Sequence, residues 1–153
     1  MILYIETKSE EETRERGRRF GEVILPEIPV MLHGDLGTGK TVFVRGVGDS
    51  FGISGVRSPS FTLINEYETG YGIRIVHADL YRLNDGSYDT LGLHEYIDDN
   101  ASIVFIEWPE RMKGIDINCE NVIEIFFYAL SESERRIIII AWGEKAQEVV
   151  HRL

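Results

Sequence analysis

A single cysteine, Cys119, excludes an internal disulfide, and no Cys/His grouping has the spacing of a zinc site. The fold must therefore close on its own hydrophobic core, and a reducing compartment suits it. No apolar run approaches the roughly 20 residues that span a bilayer. The opening Met1-Ile2-Leu3-Tyr4-Ile5-Glu6 lacks the basic flank of a signal peptide, so a soluble cytoplasmic protein with no membrane partner is expected. Basic charge is also scarce: 16 Lys and Arg against 26 Asp and Glu leave a net charge of −10. That is the wrong sign for a broad DNA- or RNA-gripping surface, whose affinity comes largely from neutralising phosphates. The local exception, Arg14, Arg16, Arg18 and Arg19, falls among glutamates and reads as a solvated helix face with compensating ion pairs. Repeats, low-complexity tracts and linkers are missing, so residues 1–153 are expected to form a single domain.

What is present centres on Gly34-Asp35-Leu36-Gly37-Thr38-Gly39-Lys40-Thr41, a match to G-x-x-x-x-G-K-[ST]. In that pattern backbone amides wrap phosphate oxygens, the lysine reaches the β and γ phosphates, and the hydroxyl ligates Mg²⁺. Glycines are needed because successive amides point at one anion only in conformations that a Cβ disfavours. The context agrees: residues 29–33 read as a short buried strand, and a helix is predicted from Lys40 to about Phe51-Gly52. Its N-terminus adds a partial positive charge directed at the same anion.

Elsewhere the pattern predicts a strand over 2–6, then a helix to Val23 opened by a capping box, Ser9-Glu10-Glu11-Glu12. Strands over 61–67 and 73–79 flank a glycine-containing turn and read as a hairpin. Asn84-Asp85-Gly86-Ser87 reads as a turn cluster and 91–97 as a short helix. The nearly all-apolar run Ser102-Ile103-Val104-Phe105-Ile106-Glu107 has the pattern of a central strand. Strands over 121–128 and 135–142 and a final helix complete an α/β fold. Its sheet is expected to be mixed, a largely parallel core with an antiparallel hairpin, flanked by helices.

Ligands in open α/β sheets sit beyond the carboxyl ends of the strands. Two carboxylates occupy such positions, Asp79 and Glu107. One is needed to hold a metal opposite Thr41 and the other to orient the attacking group. Glu107 is assigned to the metal and Asp79 to the γ-phosphate side, the reverse remaining open. Arg82 and Trp108 are candidates for stabilising charge and covering the site. Ser58-Pro59-Ser60-Phe61-Thr62 has the position of a γ-phosphate sensor, with Thr62 as its candidate. His33, His77, His94 and His151 have no ligand or triad spacing and read as structural.

Four blocks together resemble the TsaE (YjeE) family of bacterial ATPases: 34–41, Ser58-Pro59-Ser60-Phe61-Thr62-Leu63, Asp79-Leu80-Tyr81-Arg82-Leu83 and Glu107-Trp108-Pro109-Glu110-Arg111. The resemblance implies a small P-loop NTPase domain that is a weak Mg²⁺-dependent ATPase. It further implies a role in N6-threonylcarbamoyladenosine modification of tRNA with the proteins TsaB and TsaD, tRNA being met only through the complex. Carried over by position, the resemblance places nucleotide contacts on Glu10, Gly37, Thr38, Gly39, Lys40, Thr41, Val42 and Asp79. It places Mg²⁺ on Thr41 and Glu107, and Lys40, Asp79 and Glu107 are the candidate catalytic residues. Thr38 stands where alanine is usual, Val42 where a second hydroxyl is common and Ser60 where threonine is usual. A further contact between Ser133 and Arg136 has no firm basis in the motif. Two other readings share the cradle: a small-molecule kinase and a non-catalytic nucleotide-gated binding module. ATP or ADP as the nucleotide follows from the resemblance, since the cradle itself reads phosphate and not base.

Overall fold

The fold is built outward from β5 (Ser102–Glu107), whose six residues are all buried, as expected of an apolar strand covered on both faces. The computed structural model describes residues 1–59, 63–83, 92–112 and 119–153. On one side of β5 lies β2 (Val30–His33), on the other β4 (Arg74–Asp79), both parallel to it. β6 (Val122–Ala129) extends the parallel core beyond β2. β3 (Ile64–Glu68) closes one edge as the antiparallel partner of β4, which gives the expected hairpin.

The opposite edge is also antiparallel. β7 (Arg135–Trp142) returns through a tight turn to pair with β6, and β1 (Ile2–Thr7) pairs with β7. A connection that short allows only antiparallel pairing. The seven-stranded order is β1-β7-β6-β2-β5-β4-β3, so the mixed sheet carries an antiparallel flank at each end rather than one added hairpin.

α1 (Glu10–Val23) begins with Ser9 in extended backbone, its Oγ accepting from the Glu12 amide at 3.1 Å. Glu12 returns the bond one residue earlier than in a standard capping box, accepting from the Lys8 amide at 2.8 Å. α1 lies against α2 (Lys40–Ser50) so closely that a Cβ on Gly17 would fall 2.0 Å from the Phe43 carbonyl oxygen, and one on Gly46 1.9 Å from that of Arg14. The phenyl rings of Phe20 and Phe43, 5.4 Å apart, fill the space beneath, and Phe43 meets Phe127 of the sheet at 5.5 Å. This packing fixes where α2 begins. Three of the four arginines of α1 are paired surface charges: Arg14 bonds Asp49 of α2, Arg18 joins Glu15 and Glu22, and Arg19 joins Glu15.

α4 (Glu144–His151) packs on the same sheet face through Ala146, Val149 and Val150. α3 (Leu93–Ile97) covers the other face with Leu93 and Ile97 beside Val76, Ala78, Val104 and Ile106. Leu91 and the expected turn cluster at 84–87 lie outside the described residues, as does the Ser60-Phe61-Thr62 segment. Among the described residues no helix is long and apolar enough to cross a membrane.

Candidate functional site

The turn between β2 and α2 carries the glycine-rich stretch, and its glycines take the backbone expected of them. Gly34, Gly37 and Gly39 have φ of +144°, +76° and +105°. At Gly34 space also matters, since a Cβ would fall 2.8 Å from the Phe127 carbonyl oxygen. Thr38 secures the loop by donating from Oγ1 to the Asp35 carbonyl at 2.7 Å. α2 starts at Lys40, so the free amides of its first turn face the same space.

A cavity of about 540 Å³ opens there. The structure brings together around it Gly37 to Val42, Glu10 from the start of α1, and Asp79, Glu107 and Trp108 from the ends of β4 and β5. Arg82 sits exposed in the turn after β4 and does not line the cavity. Thr62 lies outside the described residues, while Ser58 of the same loop does line the cavity.

Lys40 is 5% exposed, and its Nζ donates to the carbonyls of Gly34 and, at 3.0 Å, Asp35. The ammonium also sits 4.9 Å from the centre of the Trp108 ring, which meets the Tyr81 ring at 5.0 Å with the two planes tilted by 47°. Burial pushes the Lys40 amine below the usual lysine range, and the negative charges of Glu107 and Asp79 oppose that shift. Burial likewise pushes the Asp79 carboxyl up, partly offset by the Tyr81 amide, which donates to its Oδ1 at 3.0 Å. Glu107 is 3% exposed, and its Oε2 lies 2.8 Å from Nε2 of His77.

These donors suit one kind of metal. Among the described residues no group of three or more His, Cys, Asp or Glu is placed to hold an ion alone. Mg²⁺ in nucleotide sites takes one or two protein oxygens and completes its shell with phosphate and water. A threonine hydroxyl and a buried carboxylate on one cavity fit that demand.

Residues that no motif singles out also reach the cavity or the groups that line it. His77, expected to be structural like the other three histidines, bonds Glu107; the sequence signal is its place two residues before Asp79, on the same strand face. Thr13 faces Gly39 from the second turn of α1, and its hydroxyl pairs with that of Thr7 at 2.7 Å. Glu132 arrives from the β6–β7 turn together with Ser133 and Arg135, which belong to the Ser133 to Arg136 stretch for which the motif gives no firm basis. Arg135 donates to the Gly37 carbonyl at 3.2 Å, a contact set by tertiary pairing that no local motif announces.

Known proteins resemble the chain in sequence and in fold. The family model described as threonylcarbamoyl adenosine biosynthesis protein TsaE matches residues 7–137. The tRNA threonylcarbamoyladenosine biosynthesis protein TsaE of Aquifex aeolicus is 38% identical over 135 residues, 86% of this chain and 91% of that protein. Its counterpart in Bacillus subtilis is 32% identical over 148 residues, 96% of this chain and 90% of that protein. The crystal structure of Bacillus subtilis YdiB superposes with a TM-score of 0.81 at 26% identity, covering 99% of this chain and 93% of that one. With its glycine-rich loop, its paired strand-end carboxylates and this likeness along nearly its whole length, the chain belongs to the TsaE family of threonylcarbamoyladenosine biosynthesis.

Proposed function

We propose that this protein is a Mg²⁺-dependent ATPase whose slow cycle regulates a tRNA-modifying assembly containing TsaB and TsaD, in the cytoplasm. The observation that carries the reading is the convergence of Lys40, Asp79 and Glu107 on the phosphate cradle. The loop amides and Lys40 bind the β and γ phosphates, and Lys40 exchanges its bonds to the Gly34 and Asp35 carbonyls for phosphate oxygens. Thr41 and Glu107 would hold Mg²⁺, which offsets charge on the phosphates when bound. Asp79 orients water for in-line attack on the γ-phosphate. Trp108, packed against Tyr81, covers the lysine side of the cavity and limits water entry. The acidic surface, at a net charge of −10, agrees with tRNA being met through partners and not gripped directly.

The test is phosphate release from ATP, alone and with TsaB and TsaD, using Lys40→Ala as the blank. A low rate that rises with the partners and vanishes in the variant supports the reading. A rate at the blank level throughout, with ATP still bound, rejects hydrolysis as the output.

A further inference from the structure

His77 is fully buried, and the phosphate chemistry described above does not use it. In the parallel register of β4 and β5, His77 lies opposite Phe105 and Asp79 opposite Glu107. The imidazole therefore reaches diagonally along one sheet face to the carboxylate, with Nε2 2.8 Å from Oε2. The side chains are 0% and 4% exposed, so water does not compete for this bond. Nδ1 has no hydrogen-bond partner among the described residues. A histidine that merely filled this space would be a costly choice over leucine or phenylalanine, because it buries a polar atom that no described residue satisfies. What it supplies is the single bond to Glu107. With a carboxylate as acceptor, Nε2 is the nitrogen that carries the proton.

We propose that His77 is a positioning residue for Glu107: its Nε2–H pins Oε2, which leaves Oε1 for the cavity and presets the carboxylate for Mg²⁺. This inference rests on the Mg·ATP reading above. Partners of this kind orient a metal-binding group before the metal arrives, and their loss weakens metal binding without touching the ligand itself.

The experiment measures ATP binding to the intact protein by equilibrium dialysis, without Mg²⁺ and across a Mg²⁺ titration. His77→Phe keeps the bulk and removes the donor. It is expected to leave Mg²⁺-free ATP binding unchanged and to raise the Mg²⁺ concentration for half-maximal enhancement about 10- to 100-fold. His77→Gln, whose amide N–H reaches about as far as Nε2, is expected to restore most of the loss. Should the phenylalanine variant fail to fold by circular dichroism, His77→Asn, too short to reach Glu107, takes its place with the same expectation. A folded Phe or Asn variant with the wild-type Mg²⁺ requirement overturns the proposal, as does a Gln variant as impaired as Phe. Wild-type ATP binding with no Mg²⁺ dependence would instead reject the metal reading, and the inference with it.

Discussion

Asp79 and Glu107 are register partners on adjacent parallel strands, so the two carboxylates leave the sheet side by side on one face. Like charges so placed repel, and the fold relieves them differently. Glu107 is held by His77, whereas Asp79 has a backbone amide and the nearby Lys40 ammonium. Their unequal surroundings suit two roles, one rigid and one free to exchange protons and partners.

Asp79→Asn tests the second role. Its carboxyl is raised by burial first, with Glu107 adding to the shift, so the folded protein binds this proton more tightly than the unfolded chain. Stability from this group is present below the ordinary carboxylate range and is lost as pH rises through the raised folded value. Asparagine keeps an acceptor for the Tyr81 amide and carries no charge. The variant is expected to be more stable than wild type at neutral pH by about 1 kcal/mol, the difference closing at acid pH, while ATP turnover falls at least about 100-fold. Thermal unfolding across pH and phosphate release check both halves; a variant less stable at pH 7 would reject the burial argument.

Glu107→Gln separates metal holding from folding. Alanine would strand the buried His77 Nε2–H, at about 1–3 kcal/mol, and so confuse the two. Glutamine retains an acceptor but not the charge. The expected result is a near-native melting temperature with a Mg²⁺ requirement raised at least tenfold, read from Mg²⁺ titrations of ATP binding; an unchanged requirement would remove Glu107 as the metal ligand.

Lys40 lies in a slot shaped by its own loop, bonded to the carbonyls of Gly34 and Asp35 and capped by Trp108. A guanidinium is larger and planar and cannot take that place as a rotating ammonium does. Lys40→Arg is therefore expected to behave like Lys40→Ala, with ATP affinity down on the order of 100-fold. Calorimetric titration measures this, and near-native affinity in the arginine variant would show that charge alone suffices.

The glycine-rich loop, the strand ends and the helix starts could be read from the chain because each depends on local chemistry. Ser9 caps α1, Gly39 precedes α2, and the apolar run ending at Glu107 becomes the central strand. The pairing of β1 with β7 could not be read in this way, nor could the arrival of Arg135 beside Gly37, because both arise from the sheet order. His77 lay between these cases. Strand alternation is enough to put it on the same face as Asp79, but only the register with β5 gives Glu107 as its partner.

Trp108 is a bulky residue at φ +57°, a left-handed conformation held by the tilted ring contact with Tyr81 and by Lys40 over its ring. If Lys40 moves to phosphate, the indole loses that cation. Nucleotide binding is expected to change tryptophan fluorescence through Trp108 alone, since the other tryptophan, Trp142, is exposed on β7 and does not line the cavity. Trp142→Phe should keep the signal and Trp108→Phe should lose it; the opposite pattern would place the movement elsewhere.

Arg135 joins three carbonyls, donating to Ser131 at 2.8 Å, Glu134 at 2.9 Å and Gly37 at 3.2 Å. The β6–β7 turn is thereby tied to the middle of the phosphate loop, which Thr38 and Lys40 brace from within through the Gly34 and Asp35 carbonyls. A lysine offers a single nitrogen and cannot bridge the same set. Because the group is partly solvated, its removal should cost little stability, about 0.5 kcal/mol or less, yet the loop loses its outer brace. Arg135→Ala and Arg135→Lys are both expected to weaken ATP binding about tenfold, the equivalent of one charge-assisted bond. Their Mg²⁺ requirement should stay at the wild-type level, which sets them apart from variants at His77 or Glu107. Binding isotherms with and without Mg²⁺ give the answer: a selective change in the Mg²⁺ term would mean that Arg135 acts through the carboxylates, and unchanged affinity would mean that the loop holds its shape without it.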